Sequence, residues 1–278
     1  MLEPSSIRAI VFSGGGCRCF WQAGFWEEAG HLFKPSVIAS VSAGAAFACA
    51  AVTGRSRNVL EEFKRRTEAN PSNLHLSNVG RQGPVFPHYE MYRGTIERTT
   101  TPEMLAALRL GPEIHVMLTH PPQGWHPVVA AAVGVLSYRI ERRVVKRVRP
   151  RWPRRLGYRA AMVRADQCET ASDLADLILQ SSCAPPLMPL MRRDGRNVLD
   201  GALVDSVPVE QVSHHGPTLV LLSRHDDAFP NAPGVTALRP SAPVPIALWD
   251  YANPQRVQAT FDLGRKDGAA YLRKLAAN

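Results

Sequence analysis

"IRAIVFSGGGCRCFWQAGFW", residues 7–26, sets an apolar run against three glycines and then a stretch with helical spacing. Ile7 to Phe12 carries the β-branched and aromatic residues of a buried strand. Phe20, Trp21, Gly24, Phe25 and Ala29 then form one helical stripe. Strand, glycine turn and helix in that order make the opening unit of an α/β fold. Three consecutive glycines carry an entropic cost, so the backbone there needs freedom from side chains. Their amides can hold a phosphate, or a negative charge that appears only during a reaction.

The phosphate reading is disfavoured. A P-loop requires Lys followed by Ser or Thr, and "GGGCRCFW" has neither. A dinucleotide site requires a third glycine where Cys19 stands, and an acid near the end of the second strand, where "SVIASV" offers none.

Outward from this unit, Val37 to Val41 reads as a second strand and Ala43 to Val52 as an Ala-rich helix stopped by Gly54. Residues 57–69 predict an exposed charged helix, and 70–100 read mostly as loop. Thr101 before Pro102 starts a capped helix, "EIHVMLTH" is a strand, and "ASDLADLILQSSC" is a helix with Ser172 as its cap. "PTLVLLSR" reads as a central strand. A Pro-rich surface passage, "PSAPVPIALWDYANPQ", leads to a closing helix. Strands alternating with helices predict a mostly parallel central sheet with helices on both faces, in one domain spanning residues 1–278.

Bulk properties agree with a folded α/β protein. The 278 residues are 45% hydrophobic and 21% charged, which excludes disorder as the main state. A formal charge of +9 points to anionic partners without choosing between nucleic acid and lipid. The five cysteines form neither a secreted disulfide scaffold nor a zinc pattern, and read as reduced small residues in tight places. No cationic n-region or separate apolar h-region precedes the glycines. The most apolar later stretch, "VVAAAVGVLSY", is far short of the ~20 residues that span a bilayer. A cytoplasmic or peripheral-membrane location is expected; export without a cleaved signal leaves no trace in a sequence.

"SVSAG", residues 40–44, sits between the second strand and the Ala-rich helix, the setting of a nucleophile elbow. Ser42 is then the exposed hydroxyl, and Gly44 gives room where strand and helix cross. Ser40 departs from the Gly-x-Ser-x-Gly pattern, and the bland alternative makes Ser42 an ordinary N-cap. A serine needs a base. "NVLDGALVDSVPV" offers Asp200 at a strand end, on a turn begun by Gly201. Asp205 is a rival carboxylate that suits a turn or cap. His214, His215 and His225 are the candidates if a Ser–His–Asp triad operates instead.

Taken together and in order, "SGGGCR", "SVSAG", "SSCAPPLMPLM" and "LDGALVDSVPV" resemble the patatin-like phospholipases, most strongly over residues 7–210. The resemblance implies a three-layer fold and a serine–aspartate dyad without histidine. Ser42 becomes the nucleophile and Asp200 the general base. Gly14, Gly15, Gly16 and Cys17 become the oxyanion loop, with Arg18 completing its motif. It implies a phospholipase A or lysophospholipase-type ester hydrolase acting through an acyl-enzyme, with no cofactor and no metal. Ser40 and Cys19 replace family glycines. The alternative is therefore a weak or inactive relative that binds membrane surfaces.

Tyr138 to Arg155 holds nine Lys or Arg against one Glu. Ile140, Val144 and Val148 recur every four residues, so the part before Pro150 can form a cationic amphipathic helix. Arg142, Arg143, Lys146, Arg147, Arg149 and Trp152 would face an anionic membrane. The competing readings are a solvated helix that packs its valines on the core, and non-specific contact with nucleic acid, which no motif supports.

Overall fold

The computed structural model describes residues 3–80, 83–144, 150–226, 229–230 and 232–277, with Arg142 and Arg143 described by backbone alone. Strand β1 (Ala9–Phe12) leads through the glycines into helix α1 (Phe20–Ala29). Then follow β2 (Val37–Val41), α2 (Ala43–Val52) and α3 (Ser56–Glu68). Next come α4 (His88–Thr99), α5 (Pro102–Leu110), β3 (Glu113–His120) and α6 (Pro127–Val144). The short α7 (Trp152–Arg155), β4 (Arg159–Arg164) and α8 (Ala171–Ser181) precede the hairpin of β5 (Met191–Arg193) and β6 (Arg196–Asp200). The parallel strands β7 (Thr218–Leu221) and β8 (Val235–Leu238) and the long α9 (Pro254–Ala276) close the chain.

The eight strands form a mixed, mostly parallel sheet flanked by helices. β3, β2, β1, β7 and β8 run parallel in that order. Alternation across the pleat divides the core. Ile10, Phe12 and Ile38 face a large cluster built with α1, α2, α3, α4, α5, α8 and α9. Ala9, Val11, Val37 and Ala39 face a thinner layer of short turns bearing Val207, Val209 and Val212, while α6 covers Leu199 and Leu203 beside it.

One feature of the register builds the site. β4 occupies one edge of β3 over His115–His120. A strand has only two edges, so β2 and β6 share the other in succession. β2 pairs up to Val41 with Met117, and antiparallel β6 takes over at Leu118 with Asp200. The residue after Val41 therefore meets the last residue of β6.

Several expectations need correction. Residues 70–100 contain α4, whose Gly94 and β-branched residues hide its helical character. Burial of Met91, Tyr92, Thr95, Ile96 and Thr99 holds it in place instead. The cap of α8 is Thr170, paired with Asp173 in a capping box, and not Ser172. The Pro-rich passage is not purely surface, because Ile246, Asp250 and Tyr251 are buried. The sheet also gains β4, β5 and β8, which the sequence pattern did not single out.

Candidate functional site

Ser42 joins β2 to α2 with φ 54° and ψ −135°, a left-handed backbone that a non-glycine residue adopts only under constraint. The constraint is visible. Its amide donates to Ser181 Oγ at 2.8 Å, and Ser181 Oγ donates to the Met117 carbonyl at 2.7 Å. Gly44 allows the crossing that follows: a Cβ there would lie 2.5 Å from the Ser13 carbonyl oxygen. Ser40, the departure from the usual elbow pattern, is buried and donates its hydroxyl to the His115 carbonyl at 3.2 Å. The turn thus forms with serine in that place.

The Ser42 hydroxyl donates to Asp200 Oδ2 at 2.9 Å, and Ser182 Oγ stands 3.4 Å from it. Asp200 is fixed from its other side, since Oδ1 accepts the Ala202 amide at 2.8 Å. Its own amide donates to the Cys183 carbonyl at 2.8 Å. Burial pushes the Asp200 carboxyl up to about 6, against the lowering effect of the Ala202 amide and the Ser42 hydroxyl. Gly201 is required by contact: a Cβ there would sit 2.2 Å from the Met117 carbonyl oxygen. Gly201→Ala should therefore destabilise the fold by about 2 kcal/mol or more, read as a lowered Tm, and displace Asp200 with it.

The glycine loop lies beside this pair. The Gly14 amide donates to the Ser206 carbonyl at 3.1 Å and the Cys17 amide to the Leu248 carbonyl at 3.0 Å. Of the four amides expected to serve an oxyanion, those of Gly15 and Gly16 are the two without a partner among the described residues. Ser223 Oγ donates to the Gly14 carbonyl at 2.7 Å and steadies the loop. Cys19, which the resemblance sets against a glycine, is buried with its thiol 3.5 Å from the Ser13 carbonyl.

Ser42, Asp200, Gly14, Gly15 and Gly16 line one cavity of about 520 Å3. Arg18, Arg139 and Arg224 line it too, so its wall is cationic apart from Asp200. Arg224 also pairs with exposed Asp226 at 3.0 Å. No histidine lines this cavity. His214 and His215 lie ring against ring elsewhere, and His225 Nδ1 bonds the Pro240 carbonyl. Asp205 holds a turn through the Val207 amide at 2.9 Å and faces Arg154 at 3.5 Å. A second, small and strongly apolar cavity of about 40 Å3 lies beneath α2, lined by Phe20, Ala46, Phe47, Ile96 and Ile178, and Gly16 borders both cavities.

Some contributors were not legible in advance. Ser181 and Ser182 open the "SSCAPPLMPLM" block, which carried the resemblance without a role for them, while Ser223 and the Leu248 carbonyl gave no signal; all four reach the site across more than a hundred residues of sequence. Of the membrane-facing candidates, Lys146, Arg147 and Arg149 lie outside the described residues, as do the side chains of Arg142 and Arg143; Trp152 is exposed. Among the described residues no group of His, Cys, Asp or Glu is arranged to hold a metal ion, and no helix is long and apolar enough to cross a membrane.

An α/β protein with a mostly parallel sheet and a serine on a strained strand-to-helix turn, bonded to a carboxylate beside a glycine loop, has the architecture of an acyl-hydrolase domain. The family model for patatin-like phospholipases matches residues 10–213, and the chain belongs to that family, which at family level makes it a lipid hydrolase. The fold is similar to that of VipD from Legionella pneumophila, with a TM-score of 0.51 and 11% identity over 97% of this chain and 67% of that one. No curated protein sequence matches.

Proposed function

We propose that the protein is a phospholipase A or lysophospholipase-type hydrolase that releases fatty acid through a Ser42–Asp200 dyad. The observation that carries this reading is the 2.9 Å hydrogen bond from the strained Ser42 to a buried carboxylate. Asp200 takes the Ser42 proton as Oγ attacks the ester carbonyl. The Gly15 and Gly16 amides hold the oxyanion. The tetrahedral intermediate collapses, the acyl–oxygen bond breaks, and the Asp200 proton goes to the departing alcohol. Water, deprotonated by Asp200, then frees the fatty acid and restores Ser42. A base near 6 is ionised at neutral pH and is a stronger base than an ordinary aspartate.

Two features support a phospholipid. The small apolar cavity beneath α2, about 40 Å3, shares Gly16 with the ester cavity and gives an acyl group an apolar border there. The guanidinium groups of Arg18, Arg139 and Arg224 suit the phosphate of a headgroup more than a neutral glyceride. The cationic segment 138–155 supports peripheral contact with an anionic membrane. The test compares fatty-acid release from a lysophospholipid and from an uncharged monoacylglycerol. Arg139→Gln together with Arg224→Gln should lower kcat/KM on the phospholipid by about tenfold or more and change the neutral ester little. Equal losses on both would remove the headgroup assignment. Absence of any ester turnover by the folded wild type would remove the function.

A further inference from the structure

Helix α6 packs inward through small residues and half-buried Val135 and Tyr138, and leaves most of its large apolar side chains outside. Its buried positions are Ala130, Ala131, Gly134, Ser137 and Glu141, small or polar residues. Its exposed positions include Val128, Val129, Leu136, Ile140 and Val144, with Leu136 at 59% and Val144 at 74% exposure. Val144, one of the valines that the competing solvated-helix reading would pack on the core, is exposed instead, and Val148 lies outside the described residues. Of the thirteen large apolar side chains exposed among the described residues, eight fall between Trp125 and Leu156. Scattered exposed leucines need no explanation, but a concentration on one helix and its flanks marks an interaction surface.

The surroundings say what kind of surface it meets. Arg139 on α6 and Arg151 and Arg155 in the turn after it are exposed, and the sequence from 138 to 155 has nine basic residues and one acid. Glu141, that one acid, is turned inward, where Oε2 accepts the Arg151 and Trp152 amides at 2.8 Å each. Exposed apolar side chains in a stretch rich in cations, with its one acid withdrawn, complement a bilayer that contains anionic phospholipid. The inner side of the same helix reaches the dyad: Val135 and Tyr138 line the cavity that holds Ser42 and Asp200.

We infer that α6 is a membrane-docking wall, whose apolar face enters the headgroup region of an anionic bilayer while its inner face borders the ester cavity. Docking brings the cavity to the lipid surface, so that substrate passes from the bilayer to Ser42 without crossing water. This consequence for turnover rests on the proposed hydrolase function; the docking does not.

The test uses the full chain carrying Leu136→Gln, Ile140→Gln and Val144→Gln, changes that leave the net charge intact. Flotation with phosphatidylglycerol–phosphatidylcholine vesicles is measured in the Ser42→Ala background, so that binding is read apart from catalysis. Hydrolysis of a water-soluble short-chain ester is measured with Ser42 present. The triple variant should bind vesicles roughly tenfold or more weakly and release correspondingly less fatty acid from them, with short-chain ester turnover unchanged. Vesicle binding equal to that of the parent would overturn the inference. So would a wild-type dimer that the triple variant dissociates, because the face would then belong to a second copy. A wild type that binds vesicles through this face but hydrolyses no ester would leave docking standing and remove the hydrolase reading alone.

Discussion

Replacing Ser42 by alanine is expected to lower ester hydrolysis roughly 10³- to 10⁶-fold, the range for loss of a nucleophile that acts with its base as a unit. The fold should be unchanged, because the Ser42 amide still bonds Ser181 and only the hydroxyl is lost. Ser42→Gly separates chemistry from strain. With φ at 54° and ψ at −135°, a side chain at this position costs of the order of 1–3 kcal/mol, partly offset by the extra freedom glycine gives the unfolded chain. Ser42→Gly should therefore be inactive and more stable than Ser42→Ala by about 1 kcal/mol in denaturant unfolding. Equal stabilities would mean that the elbow carries no stored strain.

Asp200→Asn should cost about 10²- to 10⁴-fold in kcat/KM, the range for a general base. Wild-type kcat/KM should rise with pH through about 6 and level off above, since only the ionised carboxylate accepts the Ser42 proton. The sign for stability is opposite. The folded value lies above that of an unfolded aspartate, about 3.9. Between these values the folded state binds the extra proton, so this group's contribution to stability falls as pH rises from about 4 to 6 and stays low above. Asparagine keeps the hydrogen-bonding shape without a charge to bury. Asp200→Asn should thus be inactive yet more stable than wild type at pH 8, by roughly 1–2 kcal/mol, with the difference fading near pH 4. A variant less stable than wild type at pH 8 would mean that the carboxylate is not held against desolvation.

The two strands that carry the site were legible because each is a short apolar run bounded by small residues: Val37 to Val41 before "SAG", and "NVLD" before Gly201. Their meeting was not. It depends on β6 taking the edge of β3 that β2 vacates after Met117, a register no local pattern encodes. The glycine loop was legible as a source of amides, but which amides remain unpaired depends on carbonyls of Ser206 and Leu248, far away in sequence. Helix α4 was missed because burial, and not propensity, makes it helical. The apolar spacing of Ile140 and Val144 was visible, but its direction was not: the packing of Ala130, Ala131, Gly134, Val135 and Tyr138 and the inward bonds of Glu141 decide which face of α6 turns inward.

The central claim is that Ser42 is an activated nucleophile driven by Asp200. Labelling with a fluorophosphonate, followed by intact mass and peptide mapping, tests it without knowledge of the lipid. Wild type should acquire a single adduct on Ser42, Ser42→Ala none, and Asp200→Asn an adduct formed at least about a hundredfold more slowly. Folded wild type that stays unlabelled, or that is labelled at another serine, would contradict the account.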